Sequence, residues 1–244
     1  VEVLPSSPPP SPRGSDSRSR SRASRSRGVK LLPRAEQWDG ADAPFPATRT
    51  PPGRQVHLPG VVSSDEGLRS WLTTQGPEFL DDLGGGPLDS VDLSRNRLTD
   101  LGAERVVYFL LRRRQQTRRL KLFNNRLREP DALCRLLEDP HCGAGGPNGL
   151  TELHLSHNLL QPAILDRLLA SVGARVAALG SLRPPLWLRL ERNDDLDAKP
   201  EALEKEAEKH HLKLCFEGLG KSGCHVKYCK HGADVHLVLR GKRR

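Results

Sequence analysis

The final thirty residues hold the side chains best suited to chemistry: Cys215, Cys224, His225, Cys229, His231 and His236. Thiolates and imidazoles are the ligands that tetrahedral zinc prefers, and four of these residues are spaced Cys-x8-Cys-x4-Cys-x6-His, ending on His236. Two features argue against a shared ion. No His follows Cys229 after three intervening residues, where Ala233 stands, and Cys215 lies between Leu214 and Phe216 in a strand-like alternation, poorly placed to converge with the other two cysteines. The expectation is that no metal and no cofactor is bound, and that the cysteines pack as small hydrophobes in a C-terminal cap. Val235, Leu237 and Leu239 would form one more alternating strand in that cap. Elsewhere there is no GxSxG, no glycine loop followed by GK[ST], no HExxH and no obvious buried carboxylate pair, so the chain reads as non-enzymatic.

The elements that must position such residues are legible in a repeat. The stretch Leu88 to Leu98 fits L-x-x-L-x-L-x-x-N-x-L at all of its defined positions, through Leu88, Val91, Leu93, Asn96 and Leu98. Leu150, Leu153, Leu155, Asn158 and Leu160 fit it again; a unit between them has Leu120, Leu122, Asn125 and Leu127, and a fourth has Leu188, Leu190 and Asn193. The asparagines are 29, 33 and 35 positions apart. Leucines two apart point to one side of a short strand, and an Asn amide can bond backbone groups where the ladder ends. Helical patterns lie between the units, at 100–111, 130–137, 162–176 and 200–210, three of them opening with Pro130, Pro162 or Pro200.

Strand and helix alternating with a period near 29 resembles the ribonuclease-inhibitor type of leucine-rich repeat, over about residues 86 to 217. The resemblance implies an α/β fold: a short solenoid of four strand-helix units plus caps. The Cys/His spacing is also similar to that of the CCCH zinc fingers that bind RNA, whose final His lies closer. The divisions expected are a disordered Pro/Ser/Arg-rich tail over 1–60, a helical cap over 61–87, repeats over 88–217 and a basic Cys/His tail or C-terminal cap over 218–244. Within the cap, Ser64 is placed to N-cap an amphipathic segment carrying Leu68, Trp71, Leu72, Phe79, Leu80 and Leu83, and a further strand is expected at 212–216.

Charge separates along the same lines. The net charge of +9 divides into +5 over residues 1–60, −2 over 61–220 and +6 over 221–244. The basicity therefore belongs to the flanks. Ser15 to Arg27 is an Arg-Ser run resembling the RS segments of RNA-processing proteins, in which guanidinium groups contact phosphates. No apolar run approaches the length of a membrane span. Val1 opens the sequence without an apolar h-region after it, which reads as a fragment or processed product without a secretory signal, and five cysteines point to a reducing intracellular compartment, cytoplasmic or nuclear.

Positions between the inward leucines should line the concave face. Arg119, Lys121, Phe123, His154, His157, Trp187 and Arg189 are the expected partner-binding residues, with the aromatics Phe123 and Trp187 as anchors. The run Arg112, Arg113, Arg114, Arg118, Arg119, Lys121 is either a solvated helix end or a patch for an acidic partner or a phosphate backbone. The leading reading is a protein-binding scaffold; the alternative is an RNA-associated protein that binds through its Arg-Ser and Cys/His tails.

Overall fold

The computed structural model describes residues 53–143, 148–180, 184–193, 196, 200–216, 224 and 228–239. All of them fall in one compact unit, Leu31–Arg244. Seven short strands form one parallel sheet: β1 (Gln55–His57), β2 (Ser90–Asp92), β3 (Arg119–Lys121), β4 (Glu152–His154), β5 (Leu186–Arg189), β6 (Leu214–Cys215) and β7 (Val235–Val238). Among the described residues six helices accompany them: α1 (Asp65–Thr74), α2 (Gly76–Asp82), α3 (Asp100–Arg112), α4 (Ala132–Glu138), α5 (Pro162–Leu179) and α6 (Pro200–Lys209). The class is α/β.

Register follows from side-chain chemistry. Val56, Val91, Leu120, Leu153, Leu188 and Leu237 stand opposite one another across six strands, and none is more than 5% exposed. On β1 to β4 their neighbours along the strand are polar or charged, and a slip of one residue would turn those toward the core. The helices pack in sequence, α3 on α1, α4 on α3, α5 on α4 and α6 on α5. Their apolar faces join the inward strand residues in one core. Among the described residues the opposite face of the sheet carries no helix.

The asparagines end the strands as their spacing implies. Asn125 donates from Nδ2 to the carbonyls of Leu93 and Leu122, each at 3.0 Å, while its Oδ1 accepts from the backbone N–H groups of Asn96 (3.1 Å) and Leu98 (2.9 Å). Asn158 Nδ2 donates to Leu122 and Leu155, and Asn193 Nδ2 to Leu155 and Leu190. Each amide joins its own chain turn to the preceding one, so backbone groups that the ladder leaves behind are satisfied although buried. Leu93, Leu122, Leu155 and Leu190 directly precede these turns, and all four are at most 1% exposed.

At the N-terminal side, Ser64 caps α1 by accepting from the Gly67 N–H at 3.2 Å. Gly76 and Pro77 then open α2, dividing the amphipathic segment expected at 64–83 into two helices.

Two expectations require correction. Residues 53–60, assigned to the disordered tail, contain β1, whose Val56 pairs with Val91 and seals that edge of the core. Second, the strand at 214–215 does not follow β5 in the sheet, because β7 comes between them. β7 is longer, has Val235, His236 and Leu237 buried, and bonds on both sides; β6 has two residues and takes the edge. The Arg-Ser run lies outside the described residues, as does the rest of 1–52.

Candidate functional site

The side chains of the helix-free face fall into rows set by strand register. Ser90, Arg119, Glu152, Trp187, His236 and Cys215 form one row; Asp92, Lys121, His154 and Arg189 form the next. The second row holds one acid, Asp92, with Lys121, His154 and Arg189 after it, and the latter two find acids outside the row. Asp92 Oδ2 lies 3.7 Å from His57 Nδ1 and 3.5 Å from Lys121 Nζ, while its Oδ1 accepts from the Ser94 hydroxyl at 2.6 Å. Glu152 and His154 are bonded through Oε1 and Nε2. Burial works to raise the Glu152 carboxyl, but the His154 hydrogen bond and the charges of His154, Arg119 and Lys121 outweigh it and hold the group below the usual carboxylate range. Arg189 Nε donates to Glu191 Oε1 at 2.9 Å.

Of the expected contact residues, Arg119, Lys121, Phe123 and Arg189 are half-buried on this face, and His157 is exposed at the strand-end turn. His154 is mostly covered, at 8% exposure, and is engaged by Glu152. The Arg95 guanidinium lies over the Phe123 ring, 5.7 Å from its centroid. The strand-end turns add a row of which His157 alone was among the expected contact residues. Arg95, Asn124, His157 and Arg192 each precede a ladder asparagine, each has a positive φ between 54° and 61°, and each is exposed. The Asn side chain in the next position holds each turn in this left-handed geometry, so the four side chains project at the C-terminal ends of successive strands.

The basic run is dispersed. Arg113 bonds Asp81 at 3.1 Å and lies over Phe109, Arg119 Nε donates to the Asp89 carbonyl at 3.2 Å, and Lys121 belongs to the Asp92 pair. It does not form one cationic patch.

Trp187 requires a correction. It lies in the expected row but is fully buried, packed with Cys215, Cys224, Cys229 and Ala233 in a second cluster that Val238 flanks. Its ring stacks on His236, with centroids 4.1 Å apart and planes inclined by 20°. It cannot touch a partner without that cover being lost.

The geometric objection to convergence of the cysteines also fails. Cys215 is directly opposite His236 on neighbouring strands, and the segment joining those strands brings Cys224 and Cys229 to the same place. One potential ligand atom from each of the four lies within 4.8 Å of every other, and all four residues are buried. Cys224 Sγ and Cys229 Sγ are 3.9 Å apart, nearly twice a disulfide bond length. Among the described residues neither ring nitrogen of His236 has a hydrogen-bond partner. Burial, followed by the nearby His231, pushes the His236 imidazole down to about 4, which keeps it neutral near pH 7. The strand-like alternation around Cys215 was visible in the sequence; the neighbour it would acquire across the sheet was not.

Among the described residues no helix is long and apolar enough to cross a membrane. No protein-family model and no curated protein sequence matches the chain.

Proposed function

We propose that the protein is a non-enzymatic scaffold, a short leucine-rich repeat solenoid of the ribonuclease-inhibitor type that holds a protein partner on its helix-free, concave face. The observation that carries this reading is the exposed row Arg95, Asn124, His157 and Arg192 beside Phe123, held by a ladder of buried amides. A rigid array of Arg, His, Asn and an aromatic ring suits a protein surface, since such side chains bury area and offer hydrogen bonds at little ordering cost. Beneath the array Lys121 is paired with Asp92, His154 with Glu152 and Arg189 with Glu191, which favours a mixed protein surface over a phosphate backbone.

The test is affinity capture with nuclease present, followed by hydrogen exchange on the purified complex. Protection confined to the strand ends at 92–95, 121–124, 154–157 and 189–192 is the expected result. Protection on the outer faces of α3 to α5, or capture abolished by nuclease, overturns the reading.

A further inference from the structure

We propose that Cys215, Cys224, Cys229 and His236 form a closed tetrahedral site for one zinc ion, which fastens the C-terminal edge of the sheet. Three thiols and one imidazole are a complete donor set for structural zinc, and with four protein ligands no position stays open for water or substrate. Zinc–sulfur bonds of about 2.3 Å at tetrahedral angles put sulfur atoms roughly 3.8 Å apart. The Cys224–Cys229 separation is 3.9 Å, and all four donor atoms lie within 4.8 Å of one another.

The register explains how ligands so far apart in sequence meet. Parallel neighbours are spaced about 4.8 Å in the hydrogen-bonding direction, so Cys215 on β6 and His236 on β7 project side by side from the same face. Cys224 and Cys229 approach from the connection between those strands. Packing alone accounts for three buried thiols, since Cys behaves as a small hydrophobe. It does not account for His236, which is 0% exposed and has both ring nitrogens without a hydrogen bond. A sealed imidazole with no partner is costly, and a metal ion at one nitrogen supplies a partner that nothing else described in the structure provides. Trp187 stacks on that ring and fixes its plane.

A consequence for the fold follows. β6 is only two residues long and lies at the sheet edge. Zinc would bind the edge strand, its neighbour and the segment between them at one point, and would keep Trp187 covered.

The experiment is elemental analysis of the full chain purified from zinc-supplemented medium and desalted. The expected result is one equivalent of zinc per chain, lost in Cys224→Ser and in His236→Gln and retained in Cys134→Ser, whose thiol is outside the cluster. If a ligand variant does not fold, the wild-type chain reconstituted with Co2+ decides the matter. Intense visible absorption with a sulfur-to-cobalt charge-transfer band is expected for tetrahedral thiolate ligation. Metal-free wild-type protein, weak octahedral-type cobalt absorption, or equal zinc loss in Cys134→Ser and Cys224→Ser would overturn the proposal.

Discussion

The backbone N–H of Asn158 donates to Oδ1 of Asn193 across 35 residues of sequence, at 3.1 Å. The same bond joins Asn96 to Asn125. Each strand-end turn is thereby held by the next one, which makes the exposed row at the strand ends a property of the whole sheet.

Asn125→Ala should accordingly destabilise the protein by about 3 kcal/mol or more, since it leaves several buried backbone groups without partners. Chemical denaturation measures this directly. A loss below about 1 kcal/mol, the usual net value of a single hydrogen bond, would mean that the amides do not hold the turns.

The core and the covered tryptophan make a second prediction. Leu155→Ala should cost about 2 to 5 kcal/mol and Trp187→Ala about 3 to 5 kcal/mol, both residues being fully buried. An unchanged melting temperature for Trp187→Ala would show that the cluster of Cys215, Cys224 and Cys229 does not cover it.

Those residues mark how far the sequence could be read. Leu155 and the asparagine spacing lie within one repeat unit, where side-chain period and turn chemistry act locally, and both were legible. The environment of Trp187 depends on residues 28 to 49 positions away, brought back by β7 entering the sheet between β5 and β6. No local pattern distinguishes that order from simple succession. The convergence of Cys215 with His236 was hidden for the same reason. β1 was missed because three residues in a stretch rich in Gly and Pro offer too short a period, and its stability comes from pairing with β2.

The Glu152–His154 pair predicts a pH response. Glu152 is held below its ordinary value, about 4.3 in an unfolded chain, so its contribution is fully present above that value and is lost as pH falls through the folded one. The melting temperature of Glu152→Gln should be below that of the wild type at neutral pH, with the difference shrinking at more acidic pH than about 4. Melting curves across pH 2 to 7 check this, and a gap that widens on acidification would contradict it.

The central claim is that partners dock on the helix-free face, and it is tested most directly by two matched substitutions on opposite sides of the protein. Phe123 is half-buried on that face beneath Arg95, whereas Tyr108 is 62% exposed on α3. The measurement is the dissociation constant of the captured partner for Phe123→Ala and Tyr108→Ala, with melting temperatures recorded for both. The account predicts that Phe123→Ala weakens binding by about tenfold or more, an anchor residue's contribution, while Tyr108→Ala leaves it unchanged and both chains melt as the wild type does. Loss of binding in Tyr108→Ala with Phe123→Ala unaffected would place the interface on the helices and contradict it.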